Sequence, residues 1–151
     1  MTTGDEQPGV QLEAATWEHF PHDADIGVRG FGDTREAAFE AAAMAMAAIV
    51  VDPRTVRPQT RIEVSCTAPD DELLLVDWLN ALIYEMATRH MVFGRFRVDI
   101  ADGRLTGEAW GEPIDATRHR LGTEVKGATY TALQVARTPE GKWVAQCVVD
   151  V

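Results

Sequence analysis

Three ionisable side chains fall within one short stretch of the sequence, His22-Asp23-Ala24-Asp25. In extended backbone, alternate residues share a face, so Asp23 and Asp25 are expected to point one way and His22 the other. Paired carboxylates suit a hard divalent cation such as Ca²⁺ or Mg²⁺, which takes oxygen ligands. Because Asp is also common in ordinary turns, these residues by themselves leave open whether the stretch binds a metal.

Two further charged residues stand in segments that otherwise look like protein core. Asp150 follows an apolar stretch, residues 143–149, and a carboxylate buried there is costly unless a cation or hydrogen-bond donors compensate its charge. The alternative is that the end of this strand frays into water. Lys126 is either a residue that points outward from an edge strand or part of a site.

Glu112 and His119 form a third candidate pair, an acid and a base in the charged stretch 111–120. They could exchange protons in catalysis, although a solvent-exposed loop would have the same composition. Ser65, the only serine, lies in the middle of a predicted strand, and Cys66 falls on the apolar face of that strand. No nucleophilic Ser–His–Asp or Cys–His arrangement is therefore indicated.

Two helices are predicted to hold these candidates in position. The first begins at residues 33–36, with Asp33 as the capping residue, and continues through an Ala-rich segment. The second begins at residues 69–72 and carries an apolar stripe at helical spacing. Either Gly94 ends this second helix, or a new strand already begins at residues 91–93.

Strands are predicted from polar–apolar alternation and from turn residues. They cover residues 61–68, a hairpin over residues 95–110 with a turn at Asp102-Gly103, residues 124–136 and residues 142–150, besides two short strands around Pro21. Residues 111–115 are predicted as a loop and residues 116–121 as a single helical turn. Together these patterns indicate an α+β domain with two helices packed on mostly antiparallel β-sheet, not a doubly wound parallel sheet.

Composition limits the class of protein further. The chain has 151 residues, with 14 Lys and Arg against 24 Asp and Glu, a net charge of −10. We predict a flexible acidic tail over residues 1–15 and one domain over residues 16–151. Two cysteines are too few for a disulfide scaffold, and neither a membrane-spanning stretch nor a secretory signal is present, so a cytoplasmic protein is expected. The acidity argues against direct, strong nucleic-acid binding through phosphates.

Five motifs in the same order give the chain a resemblance to a known family. They are Pro21-His22-x-Ala24-Asp25-Ile26-Gly27, Trp78-Leu79-Asn80, Gly111-Glu112-Pro113-Ile114-Asp115, Leu121-Gly122-Thr123-Glu124-Val125-Lys126-x-x-Thr129-Tyr130 and Val149-Asp150-Val151. With these motifs the chain, from Trp17 to Val151, resembles archease.

The resemblance implies a small accessory protein rather than an enzyme. Archeases assist the RNA-splicing ligase RtcB, which joins RNA ends through a guanylylated histidine and metal ions, by promoting its guanylylation and multiple turnover. The family's divalent-metal site, usually described as a calcium site, maps onto Asp25, Asp150 and a main-chain or terminal oxygen of Val151, with Mg²⁺ or Mn²⁺ as other possible ions. A functionally important lysine of the family maps onto Lys126, and His22 belongs to the first motif.

Two positions depart from the family pattern. Asp23 stands where Thr is common, which adds a charge beside the implied site, and Thr131 stands where many members have His. Two other functions remain open. One is a metal-dependent phosphohydrolase that uses Asp23, Asp25 and Asp150, with His22 as acid or base. The other is a plain protein-interaction domain in which an ion is structural.

Overall fold

Two α-helices and eight strands, besides one short 3-10 helix (Pro53–Thr55), occur in residues 15–151, the part of the chain that this computed structural model describes. In chain order they are β1 (Ala15–His22), β2 (Asp25–Gly32), α1 (Arg35–Val50), β3 (Thr60–Thr67), α2 (Asp71–Arg89), β4 (Met91–Ala101), β5 (Arg104–Pro113), β6 (Gly127–Ala128), β7 (Gln134–Arg137) and β8 (Trp143–Asp150). The predicted acidic tail, residues 1–15, lies outside the described residues except for Ala15, which begins β1.

The strands form two antiparallel sheets. In the first sheet the order is β1-β2-β8, and both β6 and β7 pair with the other edge of β8. In the second sheet β5 lies between β3 and β4. The predicted α+β class, with two helices and antiparallel pairing in one compact domain, is confirmed.

Helix α1 lies between the two sheets and is buried on nearly every side. It packs on β1, β2 and β8 of the first sheet and on β4 of the second. Small residues permit this approach, since a Cβ on Gly30 would lie only 2.3 Å from the backbone nitrogen of Ala42. The capping residue is Thr34, whose Oγ1 accepts a first-turn N–H at 3.0 Å. The predicted cap, Asp33, pairs instead with Lys142.

Helix α2 packs on β3 and β5 and contacts β6 and β7 at the edge of the first sheet. Asp70 caps its start by accepting the Leu73 N–H at 2.8 Å. Its fully buried side chains form the centre of the core: Leu75, Trp78, Leu79 and Leu82. The helix ends at Arg89, not near Gly94, because His90 adopts left-handed backbone with φ 54°. No helix in residues 15–151 is long and apolar enough to cross a membrane.

The prediction of one long strand over residues 124–136 is wrong. Only β6 and β7 are strands there, and a loop joins them. In that loop the backbone N–H and the Oγ1 of Thr129 both donate to the carbonyl of Val148, while Ala132 has left-handed backbone with φ 54°. The Thr129 bonds still reach β8, 19 residues further along the chain, and the reversed backbone at Ala132 then interrupts the strand before β7 begins.

The segment that follows the second sheet also differs from its prediction. Part of the predicted loop over residues 111–115 belongs to β5, which runs to Pro113. The single helical turn predicted over residues 116–121 is shorter than expected and is not part of a regular helix. The carbonyl of Asp115 accepts the N–H groups of Arg118 and His119 at 3.0 and 2.7 Å, which closes one turn over residues 115–119.

Candidate functional site

The start of β2 and the end of β8 meet at one end of the first sheet. The two strands are antiparallel, with Ile26 opposite Val149, so Asp25 and Asp150 continue the register by one residue. Because Ile26 and Val149 face the core, alternation directs the Asp25 and Asp150 side chains to the outer face. Asp25 Oδ1 also accepts the N–H of Val151 at 3.3 Å, across 126 positions of sequence. Strand pairing therefore brings all three implied metal ligands together.

Lys126 lies at the same end of this sheet. Its backbone N–H donates to the carbonyl of Asp150 at 2.8 Å, immediately before β6 pairs with β8. The Lys126 side chain is exposed. Lys126 directly precedes β6 and so lies outside a strand, whereas the sequence predicts it within the strand over residues 124–136. Its backbone is nevertheless bonded directly to Asp150.

His22 and Asp23 are arranged differently from the expectation for extended backbone. His22 is the register partner of Asp25 across the β1–β2 hairpin, and paired residues in antiparallel strands share a face. Asp23 lies in the turn with φ 52°, and its side chain is 93% exposed. The turn thus puts His22, and not Asp23, on the same side as Asp25.

The oxygen donors here are few but chemically uniform. Within residues 15–151 no group of three or more His, Cys, Asp or Glu side chains is clustered tightly enough to hold a metal ion. The available donors are the carboxylates of Asp25 and Asp150 and the main-chain oxygen of Val151. Oxygen donors such as these fit Ca²⁺ better than a metal that prefers nitrogen or sulfur.

Asn80 is a site residue that the motif named but to which the sequence assigned no role. Its Oδ1 accepts the N–H of Ala128 at 2.9 Å, so a side chain of α2 holds the outer edge of β6. Asn is disfavoured inside helices because its amide competes for backbone bonds. The only asparagine of the chain, at an exposed helical position, is the signal that could have pointed to this role.

Glu112 and His119 belong to a separate, buried polar network. Their side chains are 3% and 0% exposed, so the interpretation as a solvent-exposed loop is wrong. Glu112 pairs with Arg118 and accepts the backbone N–H of Arg57 at 2.8 Å. His119 Nδ1 accepts the N–H of Asp115 at 2.9 Å, so Nδ1 carries no proton and Nε2 donates to Glu112 Oε2 at 2.9 Å. With every partner inside the fold, this network is structural.

We expect Glu112→Gln to lower the melting temperature by roughly 5–10 °C at pH 7, because the Arg118 guanidinium loses its buried anionic partner. The hydrogen bond from Arg118 is the main cause that lowers the pKa of Glu112 from 4.5 to about 2. As the pH falls, Glu112 is therefore protonated in the unfolded chain before it is protonated in the folded protein. The stability contributed by ionised Glu112 is complete above about pH 4.5 and is lost as the pH approaches 2.

Melting curves followed by circular dichroism between pH 7 and pH 2 test this prediction. The difference between the wild type and Glu112→Gln should shrink below about pH 4.5. Glu63→Gln, which changes an acid with 57% side-chain exposure, is the control and should have little effect. A difference for Glu112→Gln that is the same at every pH would contradict the assignment.

Neither cysteine offers a nucleophile. Burial raises the pKa of the Cys147 thiol to about 12. Burial also raises the pKa of the half-buried Cys66 thiol, and the charge of Asp77 adds to that effect. Both thiols therefore stay protonated and unreactive near neutral pH, in agreement with the interpretation of Cys66 as a packing residue.

Comparison with known proteins adds evidence on the family. A sequence model of the archease protein family (MTH1598/TM1083) matches residues 17–151. The protein archease of Pyrococcus furiosus is 42% identical over 139 residues, which cover 89% of this chain and 98% of that protein. The protein archease of Methanosarcina barkeri is 39% identical over 147 residues, which cover 94% of this chain and 100% of that protein.

Solved structures resemble the chain in the same way. The solution structure of Methanobacterium thermoautotrophicum protein 1598 has a TM-score of 0.78 and 31% identity, and the match covers 92% of this chain and 99% of that one. A crystal structure of an archease from Thermotoga maritima, described as a possible chaperone, has a TM-score of 0.59 and 20% identity, and the match covers 87% of this chain and 94% of that one. At this identity the match shows a likeness in fold. On the family match and these relatives, the chain belongs to the archease family.

Proposed function

We propose that this protein is a metal-binding accessory protein that activates the RNA-splicing ligase RtcB in the cytoplasm. It promotes guanylylation of the ligase and its multiple turnover and does not join RNA itself. Its metal is a divalent cation, and Ca²⁺ is the ion that its oxygen donors fit. Membership of the archease family and an accessory role, as in the relative described as a possible chaperone, support this proposal.

One observation carries the proposal: the pairing of β2 with β8 brings the Asp25 side chain to the segment Asp150–Val151, to which the backbone of Lys126 is also bonded. Asp25 Oδ1 accepts the backbone N–H of Val151 at 3.3 Å, and the backbone N–H of Lys126 donates to the backbone carbonyl of Asp150 at 2.8 Å. Asp25 and Asp150 extend the register of two paired strands, and like charges on neighbouring strands repel each other unless a cation compensates them.

The residues of this end have distinct tasks in the proposed activity. Asp25, Asp150 and the main chain of Val151 would hold the cation, which supplies positive charge near a transferring phosphoryl group when bound. Lys126 would offer its ammonium to a phosphate of the nucleotide or to a carboxylate of the ligase. Phosphoryl transfer depends mainly on positioning and on charge neutralisation, so an accessory protein can speed it with such groups.

The experiment is an RNA-ligation assay with limiting ligase from the same organism, with and without this protein. We expect multiple turnover only in its presence, and we expect Lys126→Ala to reduce the stimulated rate on the order of 100-fold, the typical cost of removing one group that stabilises developing charge. Lys142→Ala is a matched control. Lys142 is the only other lysine and precedes the opposite end of β8, where it pairs with Asp33.

Three results would contradict the proposal. One is full stimulation by folded Lys126→Ala. Another is hydrolysis of generic phosphoesters by the isolated protein that Asp25→Asn abolishes, which would indicate a phosphohydrolase. The last is a large loss of thermal stability on chelation while ligase stimulation stays intact, which would make the ion purely structural.

A further inference from the structure

We propose that Asn80 is a positioning residue for Lys126, acting through the short strand β6. This inference rests on the proposed function, because it assumes that Lys126 must be fixed in position to stimulate the ligase. Asn80 does not touch the oxygen donors of the site. It holds the backbone that follows Lys126 against helix α2, and the hydrogen bond between Asn80 Oδ1 and the Ala128 N–H, 2.9 Å long, is the contact that carries the proposal.

Strand β6 cannot hold its own position. It has two residues, one of them glycine, and pairs only with the last residues of β8. On that side the Lys126 N–H bonds the Asp150 carbonyl at 2.8 Å. On the other side the Ala128 N–H would be an open edge, which competing water or another strand could take. Asn80 occupies this edge, so β6 is bonded on both sides.

The helix that carries Asn80 is a firm support. Its neighbouring side chains Trp78, Leu79 and Leu82 are all fully buried in the core. Asn80 itself lies on the exposed side of α2, and a Cβ on Gly127 would be 3.8 Å from its Oδ1, so the amide lies directly over β6. A side chain fixed on a packed helix holds a site more precisely than a loop does by itself.

A second bond from a side chain of α2 to an edge strand occurs away from the candidate site. Glu72, also on α2, accepts the N–H of Val135 in β7 at 3.3 Å. Strand β7 pairs with the same edge of β8 but at residues 143–146, away from Asp150. Glu72 is therefore an internal comparison: it makes the same kind of bond to an edge strand that does not lead to Lys126.

The test compares Asn80→Ala, Asn80→Asp and Glu72→Ala in the full chain. Alanine keeps the helix intact, whereas Asp retains an acceptor oxygen at the same distance along the side chain. We measure amide hydrogen exchange by NMR and ligase stimulation. Asn80→Ala should speed exchange of the Ala128 and Lys126 amides at least about 10-fold and should reduce stimulation by a similar factor. Asn80→Asp should restore both.

The control separates positioning from general stability. Glu72→Ala should speed exchange at Val135 and leave ligase stimulation unchanged, although it removes an equivalent bond. Two results would overturn the proposal: unchanged exchange at Ala128 in Asn80→Ala, or full stimulation by that variant while Lys126→Ala abolishes it. If Lys126→Ala has no effect, the proposed function fails, and amide exchange still decides whether Asn80 holds β6.

Discussion

Replacing Asp25 by Asn should weaken the proposed Ca²⁺ binding on the order of 100-fold, because the ion would lose one of the two carboxylates proposed to hold it and ligand charge sets the affinity of such sites. The change is nearly isosteric, and the Asn Oδ1 can still accept the Val151 N–H that Asp25 accepts at 3.3 Å. The strand pairing between β2 and β8 should therefore survive. Stimulation of the ligase should fall together with ion affinity.

Isothermal titration calorimetry with Ca²⁺ measures the first effect directly. Asp23→Asn is the matched control, since it removes the same charge two residues away from a side chain that is 93% exposed in the turn. Its affinity should stay within about threefold of the wild type, as expected for a screened surface charge. Equal losses for Asp23→Asn and Asp25→Asn would show that net charge, rather than coordination by Asp25, drives ion binding.

Trp78→Ala should lower the free energy of unfolding by about 3–5 kcal/mol, the usual cost of deleting a large buried aromatic side chain. Trp78 is fully buried in α2, and its Nε1–H donates to the Phe39 carbonyl of α1 at 3.2 Å. Its ring covers Gly107 of β5 so closely that a Cβ there would be 2.2 Å from the ring. One side chain thus joins both helices to the second sheet.

Urea denaturation of a double-mutant cycle tests this arrangement. Gly107→Ala should be strongly destabilising in the wild type, where the new methyl collides with the indole, and much milder in Trp78→Ala, where space is open. The coupling should be at least about 1 kcal/mol. Trp78→Phe, which keeps an aromatic ring but loses the hydrogen bond, should cost less than Trp78→Ala. Additive effects at Trp78 and Gly107 would contradict the packing described.

Local patterns were sufficient where neighbours along the chain determine the structure. Alternation identified β3, and Asp102-Gly103 identified the β4–β5 turn, where both residues have the left-handed φ angles, 53° and 73°, that such a turn requires. The acids at the start of α2 likewise indicated its first turn. In each case the relevant hydrogen bonds or faces lie within a few residues.

Local patterns failed where distant partners compete for the same groups. Asp33 looked like a cap, but Lys142 engages it and Thr34 caps α1. Residues 124–136 looked like one strand, but Asn80 holds β6 from α2 and the following loop reverses its backbone at Ala132. The bonds that decide these segments come from residues that no local window contains.

The candidate site shows the same division. The sequence by itself determined the family to which the motifs belong, and it named the candidate residues, the acids Asp25 and Asp150 and the cation Lys126. Only the tertiary structure decided that they meet, since Asp25 and Val151 are 126 positions apart and come together through the pairing of β2 with β8. The tertiary structure also excluded Glu112 and His119 as an accessible acid–base pair, because both side chains are buried. Burial depends on what packs over a residue and not on its neighbours in sequence.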